Sequence, residues 1–203
     1  MTVPQANFNY YRVIIRLLIP IAIQAFFNAA LALVDNMFVG QIDETAVAAV
    51  SLAYQVFFIL SLIYFGINSG SAIFSAQFWG KNDPDSIRKV VGLNLVINFS
   101  LGLIVTILAE LIPETILGLY TRDQAVINAG VPYLRIFAIG YVFLGITQAL
   151  YFTLRSTQNV KVPMVVNSLT LIVNTCLGYI LIFGKFGVTP MGIEGAAIAN
   201  VIA

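Results

Sequence analysis

Asp35 is the residue of this sequence best placed to do chemistry. It lies in an uncharged, mostly apolar run whose nearest charged neighbours are Arg16 on one side and Asp43 on the other. A charged side chain at the centre of a membrane-spanning helix costs about 2.5–3.5 kcal/mol, so such residues mark ion pathways, proton relays or counter-ions. The chemistry open to Asp35 is to hold a cation or to carry a proton. On a helix, residues four and seven apart share a face, which aligns Gln24 and Asn28 with Asp35 as a polar stripe. A second stripe runs through Asn167, Asn174 and Gly178, and a third through Asn94, Asn98 and Gly102. Ser61, Asn68, Ser71 and Ser75 mark another stretch, and Tyr133, Tyr141, Thr147 and Gln148 a further one. Such faces avoid lipid, so they are expected to converge on an interior or a water-filled cavity. For Asn94, Asn98, Asn167 and Ser75 the plainer reading is hydrogen bonding between helices. Gly66 and Gly70, spaced for close helix contact, read as packing.

The elements that carry these residues follow from composition. Of 203 residues 60% are apolar and only 9% charged, and the mean hydropathy is +0.94. A soluble domain carries about 25% charge, so a soluble fold is excluded. Each span needs roughly 20 apolar residues, and the length allows about six. Charges and Gly, Pro, Asn and Asp clusters set the breaks, predicting an all-α bundle in one domain, 1–203. The expected spans are 13–39, 46–79, 90–112, 131–154, 162–183 and 193–203, the last cut short inside a helix, with an interfacial segment over 114–128. No internal repeat is visible. Seven of the ten basic residues (Arg12, Arg16, Lys81, Arg88, Lys89, Arg155, Lys161) fall at one side. The positive-inside rule makes that side, and the N-terminus, cytoplasmic in a multi-pass cell-membrane protein. Arg122, Arg135 and Lys185 fall toward the other side.

Several functions drop out. A net charge of +1 offers no basic surface for nucleic acid. The chain has no His and one Cys, Cys176, in an apolar run, so neither a disulfide framework nor a thiolate metal cluster can form. Serines lack an evident activating base. No enzyme activity and no cofactor are expected.

Several motifs carry a family resemblance. Ile19-Pro20-Ile21 followed by Leu33-Val34-Asp35-Asn36-Met37-Phe38-Val39-Gly40 resembles the first helix of multidrug and toxic compound extrusion (MATE) transporters. So do Ala76-Gln77-Phe78-Trp79-Gly80-Lys81-Asn82-Asp83, Tyr133-Leu134-Arg135-Ile136, Leu154-Arg155-Ser156-Thr157-Gln158, the stretch from Asn174 to Gly184, and Gly192-Ile193-Glu194-Gly195-Ala196-Ala197-Ile198-Ala199. The resemblance implies the N-terminal six-helix half of a twelve-helix, two-bundle antiporter. Such a transporter exports amphipathic organic cations in exchange for H⁺ or Na⁺ and works in the lipid bilayer with a C-terminal six-helix half. It makes Asp35, Asn174 and Tyr133 cation-coupling residues, with Na⁺ at Asp35 and Asn174 as one option. It places Asn200 near a helix-six threonine of many members, among the cavity-lining set of Gln24, Asn28, Asn167, Gly178 and Tyr141. Several members carry a second acid where this chain has Gly178, which weakens an oxygen cage for Na⁺ and favours H⁺. Two other readings compete: a lipid or oligosaccharide flippase of the same superfamily, disfavoured because no Lys or Arg lies mid-span, and a non-catalytic membrane subunit.

Overall fold

The computed structural model describes the backbone of residues 10–203 and the side chains of residues 14, 15 and 18–203. Arg12 and Arg16 of the expected cytoplasmic charge set lie outside the described side chains. The elements are α1 (Tyr10–Val39), α2 (Glu44–Gly80), α3 (Pro84–Leu111), α4 (Pro113–Gly118), α5 (Gln124–Ser156), α6 (Lys161–Phe183) and α7 (Gly192–Ile202). Five of them, all but α4 and α7, are long and apolar enough to cross a membrane, and the chain is a multi-pass membrane protein. At 11 residues, α7 extends only about 16 Å, short of the roughly 30 Å of hydrocarbon.

The scarce polar residues decide where helices begin. Asp43 accepts from the Ala46 amide at 2.6 Å, Asp83 from Ser86 at 3.1 Å and Asp123 from Ala125 at 2.9 Å. Each bond satisfies one of the N–H groups that a helix start leaves unpaired. Pro84 and Pro113 open α3 and α4, where a missing N–H costs nothing. Gly184, with φ of 66°, caps α6 in the left-handed region. The segment expected to lie along the interface over 114–128 is divided. Its first part is the six-residue α4, and the Asp123 cap draws the residues from Gln124 onward into α5.

The helices pack as two groups. In one, α5 runs along both α2 and α3; in the other, α6 lies between α1 and α7; contacts of α5 with α7 join them. In the first group the polar residues around Asn68 form a closed set, while the Ser71 and Ser75 hydroxyls of α2 are buried without a partner. Asn94 donates to Asn68 at 2.8 Å, Asn68 to Asn98 at 3.1 Å and Asn98 to Asn94 at 2.9 Å, a ring of three amides linking α2 to α3. All three are buried, so each polar group answers another. One turn away, the Tyr64 hydroxyl donates to the Tyr141 carbonyl at 2.9 Å and lies 3.3 Å from that of Asn98. Both carbonyls are reachable because the residue four positions on is glycine. A Cβ at Gly102 would stand 2.6 Å from the Tyr64 hydroxyl, and one at Gly145 2.7 Å.

The close contacts therefore fall at Gly102 and Gly145, not at Gly66 and Gly70, where an added Cβ would meet nothing within 4 Å. At 100° per residue, Gly66 sits two positions from both Tyr64 and Asn68 and so faces away from the side they bury.

Candidate functional site

Between the two groups lies a cavity of about 800 Å³ lined by α1, α2, α5, α6 and α7. α1 supplies Gln24, Asn28 and Asp35, which are spaced to face one way; Gln24 and Asp35 are buried. Asp35 accepts a hydrogen bond from the Tyr54 hydroxyl of α2 at 3.1 Å. The Asn200 amide of α7 is its second neighbour. Asn174 of α6 reaches the carboxylate only through Asn200, donating to that side chain at 3.0 Å, and its own carbonyl oxygen is buried without a partner. Tyr133 of α5 is fully buried behind Tyr54, its hydroxyl without a partner at hydrogen-bond distance. The sequence-derived trio of Asp35, Asn174 and Tyr133 is thus one neighbourhood in which Tyr54 makes the hydrogen bond to the carboxylate and Asn200 stands beside it.

Further along the cavity, the Asn167 amide donates to Asn28 at 3.2 Å and the Tyr151 hydroxyl to Asn167 at 3.0 Å, joining α1, α6 and α5. Tyr141 lines the wall. Gly178 does not line the cavity; the ring of Phe38 on α1 lies 3.5 Å from where its Cβ would be. Phe38 also meets Phe183 edge-on at 5.7 Å, so this face of α6 is used to dock α1.

Two features lie beyond what the polar stripes indicate. The first is an aromatic wall. Tyr54 and Phe57 of α2 pack on Phe137 of α5 at ring separations of 5.4 and 5.6 Å, with Tyr141 5.7 Å from Phe137. The recurrence of aromatics at Tyr133, Phe137 and Tyr141, every fourth residue, carries this signal in the sequence. The second is Arg155. Expected in the connection after the fourth span, it belongs instead to the last turn of α5. There it lines the cavity and donates to the Gln24 side-chain oxygen. One cation therefore reaches the cleft from a helix end, although the sequence shows no Lys or Arg mid-span.

Among the described residues, Asp35 and Arg155 are the two charged ones of the lining. Among the described residues no three His, Cys, Asp or Glu side chains gather as a metal-binding group. The arrangement offers tilted aromatic rings whose faces can meet a delocalised cation, one carboxylate, and amides that hydrogen-bond in either direction.

A family model described as MatE matches residues 20–180. The chain is 32% identical over 189 residues to the probable multidrug resistance protein YoeA of Bacillus subtilis, covering 92% of this chain and 40% of that protein. It is 25% identical over 191 residues to the probable multidrug resistance protein NorM of Thermotoga maritima, covering 94% and 41%. A solved structure described as the outward-facing conformation of a multidrug resistance MATE family transporter of the MOP superfamily superposes with a TM-score of 0.84 at 22% identity, over 94% of this chain and 41% of that one. The chain thus spans about two fifths of the length of the relatives it matches.

Proposed function

This chain belongs to the MatE family, and from that premise we propose that it forms the N-terminal lobe of an exporter of amphipathic organic cations, driven by inward movement of H⁺ through Asp35. The observation that carries the reading is one carboxylate, bonded to Tyr54, in a cavity walled by aromatic rings. A planar cation gains from the ring faces and from the carboxylate. A proton arriving at Asp35 removes the charge that holds that cation, so proton and substrate exclude one another and their movements become linked. With Asp35 the single acid of the lining and Gly178 packed on Phe38, few anionic oxygens are at hand for Na⁺, which supports H⁺. The family and relatives point to transport rather than catalysis.

Alternating access needs two bundles moving about a shared site, so the lobe is proposed to act with a second six-helix bundle. Dye efflux from proteoliposomes containing both halves tests this, with pH and Na⁺ gradients imposed separately. Efflux is expected under the pH gradient alone; efflux that follows Na⁺ and ignores pH refutes proton coupling. The lobe is placed in the cell membrane with its N-terminus cytoplasmic. Cysteines introduced at Asp43 and Arg88 report this: a membrane-impermeant thiol reagent added outside labels position 43 and spares 88, and the reverse pattern inverts the topology.

A further inference from the structure

The connection between α6 and α7 folds back on the end of α6. The Lys185 amide donates to the Ile180 carbonyl at 3.1 Å and the Met191 amide to that of Leu181 at 2.9 Å. An added Cβ at Gly184 would stand 2.5 Å from the Pro190 ring. Met191 is thus back at the level of Leu181, about 3 Å short of the last residue of α6. With 23 residues, α6 extends about 35 Å, against roughly 30 Å of hydrocarbon. The connection therefore lies at the membrane edge, where Phe38 of α1 meets Phe183.

At its tip the Val188 amide donates to the Lys185 carbonyl at 3.3 Å. The two residues between, Phe186 and Gly187, both have positive φ, 57° and 86°. Two such residues in succession mark a type I′ turn, a geometry suited to Gly, Asn and Asp that crowds the Cβ of a bulky residue. Phe186 holds the first position all the same, 90% exposed, the most exposed large apolar side chain among the described residues. In water its ring would add an unfavourable exposure to a strained backbone. In lipid the same exposure becomes a gain that offsets the strain.

The surroundings suit lipid. Lys185, Val188 and Met191 are exposed beside the ring, and Lys185 is the one charged residue between Lys161 and Glu194. It joins neither ion pair of the described residues. Below the turn, half-exposed Tyr179 packs against Phe183 at 5.6 Å, continuing an aromatic row down α6. Aromatic rings with a nearby lysine seat at the boundary between acyl chains and headgroups, the ring inward and the ammonium outward. We propose that the α6–α7 turn is a phospholipid-binding anchor. The Phe186 ring lies among the glycerol and upper acyl carbons, and the Lys185 ammonium binds the lipid phosphate. The anchor sets the depth of α6 and, through Phe38, of α1.

The test places para-trifluoromethylphenylalanine at position 186 of the full-length protein by amber suppression, which keeps the ring and leaves every other side chain native. Its fluorine resonance is read in nanodiscs of phosphatidylcholine and phosphatidylglycerol. Two broadening agents are compared: phosphatidylcholine spin-labelled near the top of an acyl chain, and a water-soluble gadolinium chelate. Greater loss of the resonance with the lipid-borne label is expected. Equal loss under both, or greater loss under the chelate, leaves the ring in water and overturns the proposal. A resonance indifferent to both means that protein covers the ring, and overturns it in favour of a protein contact. Lys185→Glu, which opposes the lipid phosphates, should raise the loss caused by the chelate. Unchanged loss in that variant refutes the role given to Lys185.

Discussion

The two helix groups use polar residues in opposite ways. Where α2, α3 and α5 meet, Asn68, Asn94 and Asn98 spend their hydrogen bonds on one another, and Tyr64 fills the space opened by Gly102 and Gly145. Across the cavity, Asp35, Arg155 and the Asn174 carbonyl end on single neutral partners or on none. Closed polar networks rigidify, because every alternative arrangement leaves a buried group unpaired. Open ones cannot hold a unique geometry alone and are completed by water, an ion or a ligand. Polarity by itself does not mark a site in a membrane helix, and neither does one unpaired hydroxyl, since Ser71 and Ser75 of α2 are buried without a partner away from the cavity; a charge and unsatisfied groups lining one cavity do.

The sharpest test of this division is Asp35→Asn. Asn keeps the shape and a hydrogen-bonding side chain but cannot ionise. In the complete transporter it is expected to abolish coupled efflux with insertion and thermal stability retained, and Asp35→Glu to keep partial efflux. An unchanged efflux rate for Asp35→Asn under the same gradient makes Asp35 a structural residue and erases the contrast. The reciprocal experiment is Gly102→Val. Its Cβ would stand 2.6 Å from the Tyr64 hydroxyl and 2.8 Å from the Val142 Cα, so α3 must move off α5, at about 1–3 kcal/mol. A lowered melting temperature in detergent is the readout. Gly66→Ala, in open space, should leave that temperature level or raise it by the equivalent of about 0.5–1 kcal/mol. Equal responses at the two glycines contradict the packing described here.

Opening the amide ring should have a smaller effect. Asn68→Leu removes a partner from both Asn94 and Asn98 and is expected to destabilise by about 1 kcal/mol. Unaltered stability means the ring contributes nothing net. The smallest effect belongs to Asp83 in the connection before α3. Bonds from the Ser86 hydroxyl and amide hold its carboxyl below the ordinary value of 3.8. The folded form is the stronger acid, so the cap is fully present above that value and is lost as pH falls through the lowered one. The Ser86 amide resonance should shift with pH in that acid range in the native chain and stay fixed in Asp83→Asn.

Most helix positions were legible in the sequence because hydrocarbon leaves few choices: Asp43, Asp83 and Gly184 stand at the breaks and also cap the helices, whereas Asp123, read inside an interfacial segment, starts α5. The Gln24, Asn28 and Asp35 stripe was legible for the same reason, since no other face of α1 is polar over that length. The partners were not. Periodicity gives the face of one helix but not which face of another meets it, so Tyr54 and Phe57 were indistinguishable from lipid-facing aromatics. Gly66 and Gly70 had the right spacing on the wrong side of α2. Arg155 was misplaced because a long side chain in a last helical turn reaches back along the helix, and one-dimensional boundaries say nothing of reach.

The order in which the chain is made gives Tyr54 a further part. Asp35 enters the bilayer with α1, whereas Asn200 and Asn174 belong to α7 and α6. At about 5–20 residues per second, Asn200 follows on the order of ten seconds or more later. Through that interval the carboxylate has one of its final partners at hand, the hydroxyl that arrives with the very next helix. Tyr54 is thus the one partner made early enough to meet Asp35 while only α1 and α2 exist, and Tyr54→Phe is expected to lower the yield of inserted protein before it affects transport.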